Sequence, residues 1–264
     1  MPQPDGRPTR GKTATNRLRR IDHFLIQYDR SLLTRKGGGL IVDLGYGRVP
    51  ITTVEMAQRF WKINAGLWFL GVEIDRARID AADAFRLPRM EYRLGGFDLP
   101  LSGSEQVRMI RAMNVLRQYP EAEAVPYHIK LCKFLMPGGL LIEGTSSPFG
   151  RRIVINLFRK IGFENYRLEA LLFSTNFREG FTPDLFPPVL PKHLIHRNIP
   201  GEDIFLFFEE WKRAADRMSP FLSYGIRQHF MAAAESLALS YPTISTKRRW
   251  LRSGLLLWRW PPYP

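Results

Sequence analysis

The sequence predicts an α/β fold: a doubly wound, mostly parallel sheet with helices on both faces, followed by a helical C-terminal extension. Three observations predict it. From residue 37 onward, short apolar runs with the character of buried strands alternate with segments of helical spacing. The first two runs end in an acid, and a glycine turn follows the first, as at the carboxyl edge of a parallel sheet. Beyond Phe181 the composition shifts to a proline-rich stretch and then two strongly helical segments.

Taken in order, residues 1–16 are rich in Pro, Gly, Thr and charge and predict a disordered basic tail. Residues 17–36 place Ile21, Leu25, Tyr28 and Leu32 at helical spacing, and "KGGG" ends that helix. Residues 37–180 form the main domain. "GLIVDLG" predicts its first strand, and 50–64 a helix with Pro50 in its first turn. "LWFLGVEID" predicts a second strand, "RARIDAADAF" a helix, "MEYRLGG" a third strand and "QVRMIRAM" a fourth. "EAEAVPYHIKLCKFL" predicts a helix and "GGLLIEGTSS" a fifth strand. "RRIVINLFRK" and "YRLEALLFSTNF", joined by "GFEN", predict a hairpin, although the first also reads as a helix. Residues 181–264 predict a mostly helical extension or lid, closing with a strand near Leu255–Trp258.

Composition bounds the function. With 264 residues, 45% of them apolar, the chain can bury a sizeable core. Its longest apolar runs fall short of the ~20 residues that span a bilayer. The basic N-terminus carries no apolar stretch before a cleavage site, so the expectation is a cytoplasmic protein without a membrane role. The single Cys132 forms no internal disulfide and is expected in the core. The net charge of +14 sits at the ends: +6 over residues 1–36 and +5 over 246–264, leaving +3 between them. Such ends neutralise phosphates or remain solvated tails.

The segment Asp43-Leu44-Gly45-Tyr46-Gly47 lies where a buried strand turns into a helix. Glycines there let backbone amides approach a ligand that a Cβ would block. Pro50 occupies the place where a dinucleotide fingerprint carries glycine or alanine, and Asp43 repels a pyrophosphate, so NAD and FAD are disfavoured. Asp43 suits a ligand with positive charge. Glu73 ends the second strand at the same edge, where a carboxylate accepts both hydroxyls of a ribose, and Asp75 starts the next helix. The bland counterparts are a capped turn at Asp43, an Asx-turn loop in "FDLP" at Asp98 and a helix cap at Asn114.

At "VDLGYG", "GVEID", "GGFDLP", "NVL" and "LMPGGLLIEG", in that order over residues 37–146, the chain resembles class I S-adenosylmethionine-dependent methyltransferases, whose fold is Rossmann-like. It is also similar to actinobacterial proteins described only as methylases. The resemblance implies S-adenosylmethionine as cofactor. It implies that Asp43, Gly45 and Gly47 hold the methionine part and that Glu73 binds the ribose. Ile74 and Phe97 would then lie against the adenine, Asp98 would accept from its amino group, and Asn114 would stand where the methyl is presented. Departures accompany it. Asn114-Val115-Leu116-Arg117 lacks the prolines and aromatic of amino-directed base methyltransferases, the stretch from Gly45 to Glu73 is long, and no cysteine is placed for C5 attack on a pyrimidine.

Arg117, Gln118 and Tyr119 read either as acceptor-facing residues or as a solvated helix start. "PKHLIHRNIPGE" gathers His193, His196 and Arg197; with no carboxylate or thiol partner evident for a metal, it reads as surface or core-satisfied histidines and predicts no metal site. His196 is the candidate base if the acceptor must lose a proton. The basic, aromatic end "RRWLRSGLLLWRWPPYP" either stacks on bases or closes the core. Three functions follow: methyl transfer to a small molecule under a lid, methyl transfer to RNA held by the basic ends, and non-catalytic binding of S-adenosylmethionine or a nucleoside.

Overall fold

The computed structural model describes residues 4–162, 165–261 and 263. The N-terminal helical stretch is two helices, α1 (Arg19–Tyr28) and α2 (Arg30–Thr34). They break at Asp29, whose side chain accepts from Leu32 N at 3.0 Å and caps the second. Then come β1 (Leu40–Leu44), α3 (Ile51–Trp61), β2 (Trp68–Glu73), α4 (Arg76–Ala82), β3 (Met90–Leu94) and β4 (Val107–Met113). The chain continues as α5 (Glu121–Phe134), β5 (Leu135–Ser146), β6 (Arg152–Lys160) and β7 (Tyr166–Thr175). The remainder holds α6 (Lys192–Ile195), α7 (Asp203–Arg217), α8 (Ile226–Ser240), β8 (Ile244–Ser245), α9 (Arg248–Arg252) and β9 (Leu255–Arg259).

The described strands form one 9-stranded sheet in the order β3-β2-β1-β4-β5-β6-β7-β9-β8. From β3 to β5 every pairing is parallel, and from β5 onward every pairing is antiparallel. The fold is α/β, and its parallel half follows the βαβ rhythm of the sequence. The hairpin reading of β6 and β7 holds, with part of its "GFEN" turn outside the described residues. The predicted closing strand is β9, which adds to β7. The C-terminal stretch is mostly helical, as expected, and also extends the sheet itself through β8 and β9.

Side chains alternate across the strands and sort into opposite faces. Ile41, Phe69, Met109 and Ile142 pack with α1 and α3 on one face. Val42, Leu70, Ile110 and Leu141 pack on the other, beneath Ala124 and Leu131 of α5. On that second face, Leu171 and Phe173 of β7 meet Phe207 and Trp211 of α7 and Phe230 of α8. No described helix is long and apolar enough to cross a membrane.

Candidate functional site

The carboxyl ends of β1, β2, β3 and β4 open at one edge of the sheet. Gly45 (φ +70°) and Gly47 (φ +91°) make the turn after β1. A Cβ at Gly45 would stand 2.8 Å from Val115 Cγ2, so both conformation and space require glycine there. The turn is tied to the end of β2: Gly45 N donates to Val72 O at 2.8 Å, and Gly47 N to Glu73 Oε2 at 2.9 Å. Glu73 Oε1 accepts from Ile74 N at 3.0 Å and lies 3.4 Å from Arg78 Nη1. Burial pushes the Glu73 carboxyl above the usual carboxylate range, against the pull of the Gly47 amide and Arg78.

Asp43 has a different setting. Arg111 Nε donates to its Oδ1 at 2.9 Å, and Arg111 Nη2 and Thr53 Oγ1 donate to its Oδ2 at 2.7 and 2.6 Å. Arg111 also donates to Asp22 Oδ1 at 2.8 Å, and Arg59 to Asp22 Oδ2 at 2.7 Å. Burial opposes the charge of Arg111, but Asp43 and Asp22 overcome it and hold the guanidinium above its usual range. The positive partner that the Asp43 carboxylate calls for is therefore a side chain of the protein. Asp43 also lines the larger cavity, so its expected part in holding a ligand amino group, directly or through water, would be shared with Arg111.

The N-terminal segment predicted to be disordered lies in the cleft instead; its first three residues fall outside the described ones. Asp5 O accepts from Phe97 N at 2.8 Å, and Arg7 N donates to Tyr119 Oη. Thr9 O accepts from Arg78 Nη2 at 2.8 Å, and Gly11 O from Arg48 N at 3.1 Å. Gly6 is packed among Tyr119 Oη, Ile74 Cδ1 and Phe97, so close approach of the strap needs a residue without a side chain. With the strap in place the slot among Glu73, Ile74, Phe97 and Tyr119 keeps only about 20 Å³.

Beside this slot lies a cavity of about 540 Å³, and Thr9, Leu44 and Gly45 line both. Its wall carries Arg10, Lys12, Arg17, Arg117 and Arg152 as well as Asn114, Ser146 and Ser147. Arg17 donates only to neutral oxygens, those of Ser146, Ser147 and Lys12, and burial lowers its pKa. Burial and then Arg10 lower that of Arg117. Among the described residues Arg152 alone of these five has a carboxylate partner, Glu179, at 2.7 Å.

Other expected site residues separate. Asn114 lines the cavity, yet its amide is spent bridging β4 and β5: Nδ2 donates to Ser146 O at 2.9 Å and Oδ1 accepts from Ser146 N at 2.8 Å. Phe97 is buried and stacks on Tyr127 with ring centroids 3.7 Å apart. Asp98 is exposed and paired with Lys130. His196, the expected base, is exposed and lies 3.3 Å from Lys192 Nζ, off the cavity wall; a base at that surface reaches no bound acceptor. His193 is buried on α6 against His128 and Glu143, the carboxylate its sequence neighbourhood did not supply. Burial, with His128 and Arg197, pushes His193 well below the usual imidazole range. Cys132 is buried and its thiol is pushed up to about 12. The site residue that sequence reasoning missed is Arg17, whereas Tyr119 stood among the candidates as an acceptor-facing residue or a helix start. A basic residue at the start of an amphipathic helix reads as solvated until the segment before it is seen to dock.

No family model and no curated protein matches the chain. Among solved structures it is similar to a magnesium protoporphyrin IX methyltransferase from Synechocystis with bound SAH, at 19% identity over 49% of this chain and 54% of that one (TM-score 0.37). A methyltransferase from an antibiotic biosynthesis pathway of Anabaena variabilis matches at 21% identity over 51% and 49% (TM-score 0.35). The N-methyltransferase NodS of Bradyrhizobium japonicum matches at 17% over 49% and 68% (TM-score 0.34). The chain thus spans about half the length of the first two.

Proposed function

We propose that the chain is an S-adenosylmethionine-dependent methyltransferase whose acceptor is anionic and occupies the 540 Å³ cavity. The observation that carries this reading is the division of the strand-end cleft by the glycine turn. On one side lies a narrow slot with a carboxylate and aromatic walls, and on the other a larger cationic cavity, with Gly45 in the wall of both. Such a partition suits one small cationic nucleoside and one separate acceptor meeting at a backbone without side chains.

The slot residues fit a nucleoside once residues 5–11 have left. Glu73 is at hand for ribose hydroxyls, Ile74 and Phe97 for a base, and the Phe97 amide, now satisfied by Asp5 O, for an acceptor atom of that base. The bound cofactor would supply an electrophilic methyl on a sulfonium. The protein's part is positioning: an aligned acceptor is worth ~7–11 kcal/mol of the barrier without any dedicated acid or base. Arg17 and Arg117 would draw in and orient an acceptor carboxylate or phosphate, because their charge meets no carboxylate among the described residues.

Calorimetric titration of S-adenosylmethionine into three forms tests this: the full chain, a chain starting at Thr13, and Glu73→Ala. The expected result is binding to the full chain, about tenfold tighter without the strap because the competent state no longer competes with it. Binding should be lost in folded Glu73→Ala. No binding by either folded, unsubstituted form would end the reading.

A second reading, RNA as the acceptor, has one observation in its favour. Arg17 reaches Ser146 at the end of β5, Arg20 reaches Ser174 at the end of β7, and α9 leads into Leu255 opposite Ser174. Arg17 and Arg20 from one chain end therefore lie at the sheet edge that carries the cavity, and α9 from the other end leads into it, whereas Arg35 and Arg259 lie at the opposite edge. RNA binding that falls steeply with salt would favour it over a small anion.

A further inference from the structure

On the face opposite Arg111, three buried side chains converge from elements far apart in sequence: His128 of α5, Glu143 of β5 and His193 of α6. Each is at most 1% exposed. One ligand atom from each lies within 4.8 Å of the other two. His128 Nε2 stands 3.1 Å from Glu143 Oε2, close to the about 3.3 Å that separates two ligands of one tetrahedral ion at zinc distances.

What sets this group apart is an unmet demand. Among the described residues neither ring nitrogen of His193 has a hydrogen-bond partner, although the residue is enclosed. An imidazole buried with both nitrogens unpaired is costly, and natural structures seldom leave one so. Asn156, directly across from Glu143 on β6, donates to Glu143 Oε2 at 2.8 Å while its own Oδ1 lacks a partner among the described residues. Orientation is already in place as well: His128 Nδ1 lies 3.3 Å from Tyr263 Oη, so the ring can present Nε2 to an ion while its far side is fixed.

We propose that His128, Glu143 and His193 bind a divalent transition-metal ion of the zinc class. Two imidazoles and one carboxylate are a borderline N/O donor set that suits zinc, with Asn156 hydrogen-bonded to the carboxylate from the adjacent strand. The ion is structural, because its ligands are sealed from solvent and from the cavity. It pins α6 to β5 directly behind the cavity wall. Pro188 and Val189 line the cavity just before α6, and Thr145, two residues beyond Glu143, lines it from the strand.

The test uses the full chain expressed with zinc in the medium, desalted, and analysed for metals by mass spectrometry. The proposal expects about one zinc per chain, a thermal midpoint lowered by a chelator and restored by zinc, and visible d–d absorption on cobalt replacement. Glu143→Gln keeps hydrogen-bonding atoms for Asn156 and His128 and should still bring the zinc content below a tenth; His193→Ala should do the same. If the metal-free chain does not refold, the refolding yield in zinc against that in chelator reads the same site. A folded chain with no divalent metal and no thermal response to zinc or cobalt would overturn the proposal. So would a zinc content in either variant equal to that of the unsubstituted chain.

Discussion

The ends of β1 and β2 carry carboxylates that look alike in the sequence and do opposite things in the structure. Asp43, one residue inside the end of β1, is satisfied by side chains of the core: Arg111, Thr53 and, through Arg111, Asp22. Glu73, the last residue of β2, is satisfied by two backbone amides and a partly exposed arginine, at the wall of the slot. An acid that ends an apolar strand always needs a partner, but its residue type does not say whether that partner is protein or ligand. Position relative to the covering helices decides it. Asp43 lies beneath α3, which supplies Thr53 and the Thr52 carbonyl that Arg111 also binds, and reaches the larger cavity, whereas Glu73 lies at the slot's wall.

The largest effect that would sharpen the contrast is at Arg111. Arg111→Leu leaves Asp22 and Asp43 as buried charges with no counterion on the strand side, at a cost of about 3–5 kcal/mol in urea unfolding. Removing the acids together with the arginine, as Asp22→Asn, Asp43→Asn and Arg111→Met, should recover most of that loss. Glu73→Ala should cost far less stability while abolishing cofactor binding. If Arg111→Leu unfolds no more easily than Glu73→Ala, the two ends are not different in kind.

A smaller effect separates them by pH. The folded Glu73 carboxyl titrates above its ordinary value of 4.5, so between the two values the folded state holds the proton more tightly than the unfolded chain. Its contribution to stability is present at low pH and is lost as pH rises through the folded value. Replacing it with Gln, which cannot ionise, should favour the variant over wild type progressively as pH goes from 4.5 toward neutrality. Paired urea melts across that range read the slope. A difference that is flat, or that moves the other way, would mean that the Gly47 and Ile74 amides outweigh burial at this carboxylate.

Much of this was legible in the sequence. The parallel half was, because each apolar run, glycine turn and helix is a local pattern, and so was the closing strand, because Leu255–Trp258 is a short apolar run at the end of the chain. Arg111 sent one signal that was passed over. A charged residue in the middle of a strand that otherwise reads as buried must find a counterion, and Asp43 is the nearest acid on the adjacent strand in the sheet. The cluster at His193 was out of reach, since Glu143 and His128 lie 50 and 65 residues away and only the packing of α6 against α5 joins them. The strap was misread for a related reason. Its composition cannot bury a core, yet a segment that fills a preformed cleft needs only backbone hydrogen bonds and glycines, and both are there.

The strap yields the smallest and most local prediction. Gly96 forms part of the slot wall, and a Cβ there would run into Asp5 O, while its own backbone needs no left-handed conformation. Gly96→Ala should therefore lift residues 5–11 and leave the sheet intact, with global stability within about 0.5 kcal/mol of wild type. Lifting the strap breaks the Phe97 N to Asp5 O bond and exposes the Arg10–Gly11 bond to trypsin, so cleavage there should speed up about tenfold as the docked population falls. Truncation at Thr13 removes the same obstacle by another route, and only Gly96→Ala also places a methyl in the slot. Faster tryptic cleavage with tighter cofactor binding would show that the strap alone had limited access. Faster cleavage with weaker binding would locate the nucleoside against Gly96 itself. Cleavage at the wild-type rate would mean that the strap is not held at Gly96, and the slot would then be open in solution without any need for displacement.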